Sequence, residues 1–210
     1  MTRADHRGTP AGLLETWRAR AEIGAGPAGF PQMIEALRTL QDRMTAAAPP
    51  EELISEAMHR LNELSEMLEP HAVGELRQIT GHLVGLPGRG QTMTPVIHVD
   101  ESDDQHANGT VTYGRFYLGG NGAVHGGAVP LVFDEILGRL ANTGGRSPSR
   151  TAYLHVDFRS ITPIETELRF EGWFEKEEGR KRLLRATMHH GEVLCAEAEG
   201  LFVALRPGQP

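Results

Sequence analysis

Gly119-Gly120-Asn121-Gly122-Ala123-Val124-His125-Gly126-Gly127, followed by Asp134, is the stretch whose residue types and spacing could do chemistry. Glycine lets a backbone approach a ligand closely or adopt positive φ. At a helix start, Gly126 and Gly127 would offer free N–H groups backed by the positive end of the helix dipole. Such donors can hold a carbonyl oxygen as it becomes an oxyanion. Taken alone, the glycines read more readily as a turn that only allows tight strand-to-helix packing. Asp134 adds weight to the first reading. Val129, Leu131, Val132, Phe133, Ile136, Leu137 and Leu140 make the helix apolar around most of its circumference. An aspartate there lies near a cavity, is paired, or sits on a narrow exposed stripe. Partial burial would raise its pKa, which suits a general base or nucleophile. Glu135 reads as a solvated neighbour, and Arg139 is better spaced to pair with it than with Asp134.

Spacing limits how these residues can cooperate. Gly126 and Asp134 are eight residues apart, about 12 Å along a helix at 1.5 Å per residue. One carbonyl cannot lie about 3 Å from both. Either only one of them acts, or the helix start of one subunit meets the aspartate of another. A two-fold dimer with antiparallel helices would make two composite sites.

The elements that must position these residues follow from pattern. The texture changes near residue 90, giving an expected N-terminal helical extension and linker over 1–90 and a second domain over 91–210. In the first part, GAGPAGFP at 24–31 reads as a linker. Met33, Leu37, Leu40 and Met44 then share one helical face, and Pro49-Pro50 ends it. Ile54, Ala57, Leu61, Leu64 and Leu68 mark a second helix opened by Pro50, Glu51 and Glu52. The pair predicts a helical hairpin whose stripes pack on each other or on the main domain, with partner docking as the alternative. Gly85–Gly90 reads as a hinge. In the second part, strands are expected over 94–99 and 109–118, with a polar turn at 101–108 between them. A helix follows over about 126–141, then strands over 151–161, 167–175, 181–189 and 193–205. Glu177-Glu178-Gly179 and His190-Gly191-Glu192 suit hairpin turns. The fold class is therefore α+β: a curved antiparallel sheet wrapped around a long central helix.

Composition narrows the partners. With 21 basic and 28 acidic residues the net charge is −7, which disfavours a dedicated nucleic-acid or anionic-membrane binder. The lone Cys195 excludes an intramolecular disulfide framework and reads as a small core residue. No apolar run of about 20 residues predicts membrane insertion, and MTRADHRGTP lacks a signal-peptide core, so a cytoplasmic setting is expected. His189-His190 reads as a solvent-facing turn, and no metal site is expected.

HGGAVPLVFDE, with an acid nine positions after the histidine, resembles the hotdog-fold acyl-CoA thioesterases of the PaaI type. The resemblance spans roughly 95–205, takes in GRFYLGGNGAVHGG, TAYLHVDFRSITP and EGRK, and is closest to the thioesterase superfamily member 4/5 branch. It implies hydrolysis of a fatty or aryl acyl-CoA to free acid and coenzyme A by a homodimer or dimer of dimers, with no further cofactor. Gly126, with Gly127, would polarise the thioester carbonyl, and Asp134 of the facing subunit would activate water or attack. Thr151 corresponds to a water-positioning threonine. His125 would mainly orient the turn, and Asn121 is a substrate-side candidate. Coenzyme A phosphates need cations: Arg180 and Lys181, in the chain's only consecutive basic triplet with Arg182, and Arg159 are the candidates. Alternatives on the same fold are a non-catalytic acyl-CoA-binding module and an enoyl-CoA hydratase.

Overall fold

Alternation of buried and exposed residues builds the sheet. The computed structural model describes residues 26–83 and 86–209. The expectation drawn from MTRADHRGTP lies outside those residues, as do Gly24 and Ala25 of the expected linker and Gly85 of the expected hinge. Eight strands are β1 (Ile97–Ser102), β2 (His106–Thr112), β3 (Leu118–Gly120), β4 (Ala123–Val124), β5 (Ser149–Phe158), β6 (Glu167–Glu178), β7 (Lys181–His190) and β8 (Val193–Ala204). Six of them form one antiparallel sheet in the order β1-β2-β6-β7-β8-β5, and β3 with β4 makes a separate hairpin. Leu168, Phe170, Leu184, Ala186, Met188, Ala198 and Phe202 turn one face inward and are buried. Their neighbours in sequence face solvent, as half-buried antiparallel strands require.

Three helices complete the described chain: α1 (Phe30–Ala46), α2 (Glu51–Leu68) and α3 (Ala128–Ala141). Val129, Val132, Phe133, Ile136, Leu137 and Leu140 of α3 are buried against the sheet and form its core with it. That is the expected central helix, starting two residues later than its pattern suggested, because Gly127 is its N-cap. The expected strand over 109–118 is divided. β2 ends at Thr112, a 3-10 turn occupies Arg115–Tyr117, and β3 is only three residues long. β1 and β2 both reach into the expected polar turn, pairing through Ser102 and Ala107.

The helical hairpin is corrected. Neither apolar stripe packs as its spacing suggested. On α1 the buried residue is Ile34, whereas Met33, Leu37 and Met44 are exposed. The docked face holds Ile34, Arg38, Gln41 and Asp42, one helical row mostly of polar side chains. α2 has no buried residue at all. The expected hinge is also a packed segment. Pro87–Gly90 forms a tight turn with left-handed backbone at Gly88, Arg89 and Gly90 and with both glycines buried, and Arg89 reaches from it to Glu135 of α3.

Candidate active site

The turn before α3 is built by hydrogen bonds from His125 outward. The His125 N–H donates to the Tyr117 carbonyl (2.7 Å), and the Ala128 N–H donates to the His125 carbonyl (2.8 Å). Its imidazole Nδ1 accepts the Gly127 N–H at 3.0 Å. His125 thus ties the turn together through backbone and side chain, and the N–H of Gly127 is occupied by it. Gly126 is left with an exposed N–H that has no hydrogen-bond partner among the described residues. Only the Phe158 ring stands near the place where its side chain would be. Of the two glycines, Gly126 is the one whose donor is available to a ligand.

The β3–β4 hairpin props this turn. Asn121 (φ 50°) and Gly122 (φ 74°) both adopt left-handed backbone, the Asn-Gly pairing that a two-residue hairpin loop favours. Asn121 is exposed at the tip, and its residue type is explained by the loop. Gly119 lies where a Cβ would stand 2.7 Å from His125 Cα. Any larger residue there would push β3 off the turn.

Asp134 is exposed on α3, not partly buried, in the single chain. Its Oδ1 accepts a hydrogen bond from the Thr151 hydroxyl at 2.8 Å. A bulge makes that contact. Thr151 and Tyr153 of β5 pair with the consecutive residues Phe202 and Leu201 of β8, so Ala152 is an extra residue. Leu154 and Val156 pack toward the core beyond the bulge. Because side chains alternate with period two, one extra residue switches the parity and turns Thr151 inward. Asp134 thus keeps Oδ2 without a partner among the described residues.

Glu135 is a correction. It was expected to be solvated, yet its side chain is only 12% exposed, held by Arg89 at 2.9 Å and Arg139 at 2.5 Å. Arg139 is its partner as the spacing indicated; Arg89 comes from 46 residues earlier and was not foreseeable.

The cation candidates divide. Lys181 pairs across the sheet with Val203, which pairs in turn with Arg150. Both basic side chains are exposed on the outer face. Arg180 is exposed at the β6–β7 turn and donates to the Ala204 carbonyl at 2.8 Å. Arg182 points inward and is buried, donating to the carbonyls of Ala141 and Ser147. There it caps the negative end of α3. Arg159 follows β5, already paired with Glu197 and Asp157; the Glu197 hydrogen bond and both carboxylates push its pKa up. Of the exposed candidates it is the least available. Cys195 is buried, and burial pushes its thiol pKa up.

A cleft of about 440 Å³ opens beside the turn. It is lined by Gln41 of α1, Met93, Tyr117, His125, Gly127 and Leu131, among others. The Tyr117 hydroxyl donates to the carbonyls of Thr92 (3.0 Å) and Met93 (3.2 Å), and burial raises its pKa. Sequence reasoning gave Tyr117 only a strand role and missed Gln41 and Met93, which carry no motif.

Solved structures share the fold that carries this site. A thioesterase superfamily protein of known crystal structure superposes with a TM-score of 0.72 at 24% identity, over 83% of this chain and 90% of its own. That is more of the chain than residues 91–210 supply, so the likeness reaches into the N-terminal helical region. A hypothetical thioesterase from Streptococcus pneumoniae TIGR4, crystallised with coenzyme A, has a TM-score of 0.50 at 14% identity, covering 54% of this chain and 91% of its own. The architecture is an α+β hotdog fold. In sequence, the chain is 33% identical over 96 residues to the acyl-coenzyme A thioesterase THEM4 of Bos taurus, and 31% identical over 91 residues to that of Mus musculus. Those matches cover 45% and 42% of this chain, and 39% of each relative. The chain is thus similar, over less than half of its length, to part of the THEM4 acyl-coenzyme A thioesterases, and it spans well under half the length of those relatives. No protein-family model matches it.

Proposed function

We propose that the protein is an acyl-CoA thioesterase whose site is completed by a second copy of the chain. The observation that carries the reading is the Asp134 carboxylate, fixed by Thr151 on an exposed rib of α3, with the unused N–H of Gly126 just before the N-cap of that helix. The roughly 12 Å between them along the helix suits two half-sites from antiparallel helices. β5 is an edge strand with Tyr153 and Phe158 exposed, which supports a second copy pairing there.

In this mechanism the Gly126 N–H holds the thioester oxygen as charge develops on it. Asp134 of the facing copy takes a proton from water, whose oxygen attacks the carbonyl carbon. The C–S bond breaks, coenzyme A leaves as the thiol with that proton, and the acyl group leaves as the acid. His125 holds the turn in register, and Thr151 keeps the carboxylate aimed. Lys181 and Arg180 are the cations proposed for the coenzyme A phosphates. Asp134→Asn should lower hydrolysis by a factor on the order of 10² to 10⁴, while leaving binding of a non-hydrolysable acyl-CoA thioether in place. Equal rates in wild type and variant would remove Asp134 from the mechanism. Binding without turnover in either would favour an acyl-CoA-binding module.

A further inference from the structure

The cleft beside the turn has a wall supplied by α1 and by the segment before β1. Gln41 comes from α1, and Thr92 and Met93 come from the segment that leads into β1. This wall is anchored at several points. Arg38 of α1 donates to the carbonyls of Gln91 and Thr94. Asp42 accepts the Phe116 N–H at 2.8 Å. Tyr117 bonds the carbonyls of Thr92 and Met93 from the opposite side. Its volume lies within the range of small-molecule sites.

The cleft begins at the proposed oxyanion donor, since His125 and Gly127 line it and Gly126 lies between them. A thioester carbonyl on the Gly126 N–H has two substituents, and one of them must run along the cleft. Pantetheine is amide-rich and ends in phosphates, which need cations. Among the described residues the lining holds no lysine or arginine; it presents Met93, Phe116, Tyr117, Ala128 and Leu131, with Gln41, Thr92 and the His125 imidazole as its polar groups. An apolar chain or ring fits that surface far better than a phosphate-bearing one.

We infer that this cleft is the acyl-binding subsite and that Gln41, from the N-terminal helical region, and Met93, from the segment before β1, determine which acyl groups it accepts. The ligand's identity as an acyl thioester rests on the thioesterase reading above. Met93 is 59% exposed, so replacing it should leave the core unaffected. In the full-length chain, Met93→Trp fills the cleft, and the kcat/KM ratio of octanoyl-CoA to acetyl-CoA should fall by about tenfold or more. Met93→Ala should move the same ratio the other way, toward longer chains. Calorimetry with the thioether S-octyl-CoA reads the subsite without catalysis, and Met93→Trp should weaken its binding by a similar factor. Normal hydrolysis with the ratio and the thioether affinity unmoved overturns this inference and leaves the thioesterase reading intact. No hydrolysis by wild type, with thioether binding that Met93→Trp weakens, supports the subsite and overturns the thioesterase reading.

Discussion

α1 and α2 are consecutive helices of 17 and 18 residues with similar apolar spacing, yet only one of them is docked. α1 is docked by side chains that its spacing would place on the wrong face. Arg38 and Asp42 each find backbone partners more than 50 residues away, and Gly114 leaves room, since a Cβ there would stand 2.4 Å from the Asp42 carboxylate. α2 spends its polar groups inside itself, pairing Arg60 with Glu56 and His59 with Glu63. Its Leu53, Ile54, Met58 and Met67 are all more than half exposed. Apolar periodicity therefore predicts that a helix forms, whereas docking here depends on charged anchors aimed at orphan carbonyls and amides. The docked helix also lines the cleft; the undocked one touches nothing of the site.

The strongest test of that contrast removes the anchor. Arg38→Met deletes the charged donor to the carbonyls of Gln91 and Thr94. A hydrogen bond to a charged group contributes about 1.5–3 kcal/mol, so a loss of about 2 kcal/mol or more of α1 docking is expected. Hydrogen exchange should quicken at the α1 amides and at the Phe116 N–H. Unchanged protection there would mean that Ile34 and the neighbouring apolar contacts hold the helix unaided.

A smaller effect is expected where arginines anchor a carboxylate at another edge of the fold. Glu177 accepts from Arg146 and Arg182, each at 3.0 Å. Burial pushes its pKa up, but the two guanidinium hydrogen bonds and charges outweigh it and hold the carboxyl below its ordinary 4.5. A carboxylate with a lowered folded pKa contributes stability above its unfolded value and loses it as pH falls through the folded one. The melting temperatures of wild type and Glu177→Gln should thus differ at pH 7 and converge below about pH 4.5. Glu177 is 38% exposed, so solvent screening keeps the difference under about 1 kcal/mol. A gap that stays constant down to pH 3 would rule out titration of Glu177 as its source.

These contrasts show which parts of the molecule were legible in sequence. The order of strands and helix was legible because it is written in local periodicity: alternation in β6, β7 and β8, and an apolar run in α3. The turn was legible because Gly119, His125, Gly126 and Gly127 carry their backbone roles in their residue types. Asp134 stood out as a charge in an apolar helix. Its hydrogen bond with Thr151 was not legible, since the bulge at Ala152 that turns Thr151 inward arises from pairing with β8 and has no local signature. The Arg89 clamp on Glu135 and the polar docking of α1 were illegible for the same reason. Each joins positions 46 to 74 residues apart, through side chains that look like ordinary surface charges.

The least effect is expected on α2, and its smallness is what makes it informative. Leu61 and Leu64 lie on its stripe at 36% and 43% exposure, so Leu61→Ser with Leu64→Ser removes little buried surface from the single chain. Helix propensity alone costs a few tenths of a kcal/mol per site, and surface substitutions stay within about 0.5 kcal/mol. For a chain of this size that is a melting shift of about 1–2 °C. It should be the same at every protein concentration. A larger shift that grows with concentration would reverse the conclusion, because stabilisation by mass action requires a bound partner. The stripe would then be an interface between copies, and the contrast between the helices would become one of partner: α1 held by its own chain, α2 by another.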